Sequence, residues 1–81
     1  MIVEIWDRPV EVSFDNGNHF LSVRNSREAL ACLMAKWPSK GGAHYARAKR
    51  TCLKTIETQA GSQAASEAFL EAARVAGVLR N

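Results

Sequence analysis

Apolar and polar residues alternate from Val10 to Asp15: Val10, Val12 and Phe14 are interleaved with Glu11, Ser13 and Asp15. A period of two is the mark of a half-buried strand. Asp15-Asn16-Gly17-Asn18 follows. Asn-Gly accepts the positive φ that a type I′ hairpin turn requires at both central positions. With Asn16-Gly17 as a two-residue loop, Phe14 faces His19, Val12 faces Leu21 and Val10 faces Val23, which places the apolar partners on one face. A slip by one residue would scatter them. The pattern therefore predicts an antiparallel hairpin over 10–23. Ile2 to Trp6 is a candidate third strand, although Pro9 interrupts the run. In the same register Phe20 points outward, beside Glu11, Ser13 and Ser22.

Beyond the hairpin the period changes to that of a helix. Asn25 with Glu28 three residues later fits a capping-box start. Leu30, Leu33, Met34 and Trp37 then share one stripe, and Cys32 falls off it, on the side expected to be more exposed. Pro38 ends this helix, because the residue before a proline is pushed out of the helical region. The prediction is a helix over 26–37, followed by the loop Ser39-Lys40-Gly41-Gly42. A second helix is predicted over 43–60, with Tyr45, Ala48, Cys52 and Ile56 as its buried face and Gly61 as its stop. Ser62 is a candidate cap for a third helix over 63–76. There Ala65, Ala68, Phe69, Ala72, Ala73 and Ala76 form a broad face of small residues around one aromatic. Glu67, Glu71 and Arg74 lie opposite, and Gly77 ends the run. Trp37 and Phe69 are the expected core anchors. The fold class is α+β, an antiparallel hairpin packed on one face by three helices, in a single domain over 1–81.

Order and spacing together carry a family resemblance. Trp6 with Pro9-Val10, the Trp37-Pro38 helix end, Gly42 ahead of Tyr45, Ala48 with Cys52, Gly61, and Ala68-Phe69 with Ala72-Ala73 and Ala76-Gly77 resemble the small bacterial domain-of-unknown-function family 982 (DUF982). The resemblance runs from Trp6 to Gly77. It implies a small α+β domain and carries no established activity. That family often has a basic residue shortly before the phenylalanine of the last helix; Ser66 and Glu67 stand there in this chain.

Composition narrows the function classes. The chain has 81 residues, 47% of them apolar and 23% charged, ordinary globular proportions. A chain this short buries only about 60% of its unfolded surface, so its core is small. No apolar run approaches the roughly 20 residues that span a bilayer. The N-terminus has no basic region ahead of an apolar stretch, which argues against a secretory signal. Two cysteines make no disulfide scaffold, so the expectation is a cytoplasmic protein with free thiols.

The net charge of +3 is unevenly placed. Residues 1–35 hold 3 basic and 5 acidic side chains (−2), residues 36–54 hold 6 basic and none acidic (+6), and residues 55–81 hold 2 basic and 3 acidic (−1). Arg47, Arg50 and Lys54 lie within about 60° of one another at 100° per residue. With Lys40, and with Lys36 nearby, they form a candidate phosphate-tracking ridge for nucleic acid or another polyanion. No aromatic interleaves with them to stack bases.

Candidate chemistry elsewhere is sparse. Cys52 falls on an apolar helix face, where a thiol packs as a small hydrophobe. His44 and Cys52 are too far apart along one helix, about 12 Å, to share an ion. His19 and His44 have no serine or carboxylate partner in a recognisable arrangement. No catalytic, metal, cofactor or small-molecule site is indicated. Trp6 and Phe20 are candidate protein-contact residues. The expected function is a non-catalytic interaction or dimerisation module, because a small core, an open sheet edge and an outward Phe20 all gain from a partner. The alternative is polyanion binding through Lys40, Arg47, Arg50 and Lys54.

Overall fold

The structure, a computed structural model, describes residues 4–14, 20–38 and 41–80. Its elements are β1 (Val10–Val12), β2 (Leu21–Val23), α1 (Ser26–Ala35), α2 (Ala43–Thr58) and α3 (Ser62–Ala76). β1 and β2 pair antiparallel with Val10 opposite Val23, Glu11 opposite Ser22 and Val12 opposite Leu21. This is the register that the alternation and the Asn16-Gly17 loop predict. The turn itself, and His19 opposite Phe14, lie outside the described residues. Val10, Val12 and Val23 are buried, while Leu21 at the end of the ladder is exposed.

The third strand-like segment is at the other end of the chain from the one expected. Glu4 to Trp6 form no strand; Ile2 and Val3 lie outside the described residues. Instead Gly77, at φ 77°, reverses the chain after α3. The amides of Val78 and Leu79 then donate back to the Ala73 carbonyl, the αL closure typical of a helix end. The Ser13 amide donates to the Val78 carbonyl and the Arg80 amide to the Glu11 carbonyl, both at 2.8 Å. Leu79 bridges Val12 antiparallel. The free edge of β1 is thereby covered, which corrects the expectation of an open edge on that side.

α1 begins as predicted. The Asn25 side chain accepts from the Glu28 amide at 2.8 Å, and the Glu28 carboxylate accepts from the Arg24 amide at 2.9 Å. That is a capping box displaced by one residue on its return arm. The helix ends at Ala35 rather than at 37. Pro38 keeps Trp37 out of helical geometry, and Trp37 turns into the core instead. The buried arc of α1 is also rotated from the predicted stripe. Ser26, Ala29, Cys32 and Leu33 are buried, and Met34 is 53% exposed. Small residues on that arc let the helix sit close to its neighbours, and long Met34 is left facing water.

α2 ends at Thr58 rather than at 60, because Gln59 adopts a left-handed conformation at φ 59°. Its buried residues are Ala48, Cys52 and Thr55, with Tyr45 and Ile56 half-buried. Thr55 is polar and buried, yet its hydroxyl donates to the Gly61 carbonyl at 3.2 Å. Gly61 at φ 87° is the residue before α3 rather than merely the stop of α2. The L side chain of any other residue would be strained at that angle. α3 buries Ala65, Ala68, Phe69, Ala72 and Ala73, as the face of small residues predicts.

The core is organised on Phe69, which is fully buried. The Trp6 ring lies 5.8 Å from it and the Trp37 ring 5.4 Å, both tilted, and Phe14 meets Trp37 edge-on at 5.7 Å. Such tilted and edge-on pairs suit the ring quadrupoles and stabilise beyond the area they bury. Phe69→Ala would remove the ring that both tryptophans touch. We expect a loss of about 3–5 kcal/mol, measured as a fall in the urea midpoint with the slope of the transition preserved.

Candidate functional site

The residues with chemical potential divide into a buried set and an exposed set. Cys52 is fully buried on α2, and burial, with the Glu4 charge adding to it, pushes its thiol up to about 12. Burial also raises the Cys32 thiol, with Lys36 opposing and Glu28 adding to the shift. Both stay protonated at neutral pH, and a protonated thiol is neither a nucleophile nor a metal ligand. Cys32 is thus buried, against the expectation that it would be the more exposed of the two. His44 is exposed at the start of α2, and His19 lies outside the described residues. Among the described residues no three His, Cys, Asp or Glu side chains are grouped to hold an ion, and no helix is long and apolar enough to cross a membrane.

One polar cluster has no signal in the sequence. The Glu4 carboxylate accepts from the Ser26 amide and the Ser26 hydroxyl, each at 2.7 Å, and from the Trp6 indole N–H at 3.0 Å. The Ser62 side chain, at the start of α3, also helps to lower its pKa. Ser26 opens α1 and Ser62 opens α3, so one carboxylate sits against the positive ends of two helices. It also satisfies Ser26, which is fully buried. Ser62, read from the sequence as a cap, is the first residue of α3 and turns its side chain to Glu4 instead. Burial raises the Glu4 pKa, but the hydrogen bonds from Ser26, Ser62 and Trp6 outweigh it and hold the carboxyl below its ordinary value.

The candidate contact residues part company. Trp6 is 4% exposed and belongs to the core, which corrects its assignment to a surface patch with Phe20. Phe20 is outward, 51% exposed, as the register predicts. It is partly covered: the Arg80 guanidinium lies over its ring, 4.5 Å from the centroid, a cation–π arrangement. A shallow groove of about 640 Å³ runs between the segment around Ile5 to Val10 and the outer side of α3. Trp6, Pro9 and Val10 line it together with Asp7, Arg8 and Glu67. Ile5 (70% exposed) and Leu70 (42%) are its large apolar rim.

The candidate polyanion residues Arg47, Arg50 and Lys54 are all exposed on α2, opposite its buried face. Lys40 lies outside the described residues. Lys49 is exposed on the same helix, farther around it, and Lys36 is exposed just past α1. Of the cations elsewhere, Arg24 pairs with Glu28 at 3.8 Å and Arg74 pairs with Glu71, while Arg8, Arg27, Lys36 and Arg80 are exposed and make no ion pair among the described residues. Among the described residues no ion pair involves Arg47, Lys49, Arg50 or Lys54. The first turn of α2 holds no acid, and Gly42 gives it no side-chain cap. Its positive end is therefore left open beside Arg47.

A family model described as a protein of unknown function, DUF982, matches residues 8–80. No curated protein and no solved structure matches the chain. Glu4 lies outside the matched range, although it ties the two helix starts together.

The lowered Glu4 pKa fixes the sign of a pH dependence. Its hydrogen-bonded carboxylate contributes stability that is fully present above the unfolded value, near 4.5. That contribution is lost as the pH falls through the lower folded value. Glu4→Gln should lower the urea midpoint at pH 7 by the equivalent of about 1–3 kcal/mol. The difference from the native chain should shrink as the pH falls below 4.5 and be smallest below the lower folded value, where the native carboxyl is itself protonated.

Proposed function

From the premise that the chain belongs to the DUF982 family, whose description assigns no activity, we propose a non-catalytic binding module of the bacterial cytoplasm that captures a polyanion on the outer face of α2. The observation that carries this reading is the unneutralised cation strip. Arg47, Arg50 and Lys54 are exposed and free of ion pairs among the described residues, while Arg24 and Arg74 rest on carboxylates. Unpaired surface cations on one ridge create a local positive potential that steers and holds a negative partner. Lys36, exposed just past α1, is a further cation without an ion pair among the described residues. The protonated, buried thiols and the lack of a grouped ligand set among the described residues give no support to a thiol or metal reaction.

Retention on a heparin matrix tests the face. Arg47→Gln with Arg50→Gln should elute at clearly lower salt than the native chain. Arg24→Gln with Arg74→Gln removes the same net charge from other faces and should elute closer to native. Equal loss in the two pairs would show a response to net charge alone and would remove the assignment to α2.

A second reading is self-association through the groove beside α3. The specific observation is the exposure of Ile5 and Leu70 at a groove that Asp7, Arg8 and Glu67 also line, since apolar area left in water favours a second copy that covers it. Light scattering across a concentration series should then give a dimer mass that Leu70→Glu returns to the monomer. A monomer at every concentration rejects this reading.

A further inference from the structure

We infer that the polyanion held by α2 is double-stranded nucleic acid, gripped along its phosphate backbone without reading bases; this rests on the polyanion reading above. The strip has the length and shape for it. Arg47, Arg50 and Lys54 are separated by three and four residues, about 4.5 Å and 6 Å along the helix axis. Their full span of about 10.5 Å covers about three steps of 3.4 Å along one duplex strand, so each of the three side chains can meet a different phosphate. The three side chains lie within about 60° around the helix, so they meet one row of phosphates rather than enclosing a compact anion. Two are arginines, whose planar fork engages phosphate oxygens bidentately. The uncapped start of α2 adds backbone N–H donors at the Arg47 end of the strip, and helix starts of this kind accept phosphate readily.

The same surface argues against the other large polyanions. A single strand is held chiefly by stacking bases on aromatic rings. The lone aromatic of α2, Tyr45, is half-buried and donates its hydroxyl to the Leu33 carbonyl at 2.9 Å. Phe20, just before β2, lies under Arg80. An anionic membrane would need an apolar face to bury beside the charges. On the exposed side of α2 the one large apolar residue is Leu53, 45% exposed. A rigid row of phosphates asks for neither feature.

Fluorescence anisotropy with the full chain tests the inference. The probes are a labelled 20-base-pair duplex, the same sequence as a single strand, a second duplex of unrelated sequence, and vesicles of anionic phospholipid. The expected result is binding of both duplexes with similar affinity, several-fold tighter than the single strand, and little capture by vesicles. Three phosphate contacts predict a slope of log K against log salt near −2.7, or a loss of roughly 40-fold between 50 and 200 mM salt. Arg47→Gln and Arg50→Gln should each flatten that slope by about 0.9. Arg24→Gln, on another face, should leave it unchanged, with circular dichroism confirming that each variant is folded. Equal or tighter binding of the single strand overturns the inference. So does capture by vesicles with no binding of duplex, or a slope indifferent to Arg47 and Arg50. Retention on heparin without duplex binding overturns the duplex while leaving the polyanion reading in place. Binding to none of these probes, together with no retention on heparin, removes both.

Discussion

The structure depends on one ring surrounded by small residues. α3 presents Ala65, Ala68, Ala72 and Ala73 to the interior, with Phe69 as the one large side chain among them. Alanines let the neighbouring helices approach closely but supply little volume. Phe69 supplies it, and being fully buried it must be covered on every side. Trp6 covers it from the N-terminal segment and Trp37 from the end of α1. Phe14, just after β1, then closes on Trp37. Segments far apart in sequence are committed to one cluster of rings. In a chain whose core is this small, an anchor worth about 3–5 kcal/mol is a large part of the about 5–15 kcal/mol by which domains are stable.

Both ends of the described chain are drawn into the same body. Glu4 joins the starts of α1 and α3 through Ser26 and Ser62, and it orients Trp6 through the indole N–H. At the other end, Val78 to Arg80 run along β1 and satisfy backbone groups that would otherwise form a sticky edge. Arg80 then covers part of Phe20. These contacts remove two of the features that argued for a protein partner, the edge of β1 and the Trp6 side of the supposed patch.

What is left to face a partner is the cation strip of α2 and the exposed apolar residues beside α3. The core holds the two thiols in their neutral form, where they contribute packing. The cations of α2 remain in water with no ion pair among the described residues, Glu57 near the end of the helix being its one carboxylate. That contrast between a chemically quiet interior and an uncompensated helix face is the physical basis for reading the chain as a binding module. Its charge is presented in a row rather than in a pocket, which favours an extended anion over a compact one.

Features set by local rules were legible in the chain itself. Alternation about Asn16-Gly17 determined which residues of β1 and β2 face each other. Asn25 and Glu28 marked the start of α1, the alanine face predicted the burial of α3, and helical spacing placed Arg47, Arg50 and Lys54 on one exposed side of α2. Each depends on a period, a turn preference or a cap, all acting over a few residues. Tertiary structure alone decided the rest. Glu4 meets Ser26 22 residues away and Ser62 near the other end, and no spacing rule links them. Trp6 could have been a surface ring or a core ring; only the position of Phe69 made it core. Periodicity located an apolar stripe on α1 but not the rotation that buries Cys32 and exposes Met34, because rotation follows from which neighbours pack against the helix. Val78 and Leu79 were too short an apolar pair to mark a strand. They bridge β1 because Gly77 turns the chain back toward an edge whose amide and carbonyl groups needed partners.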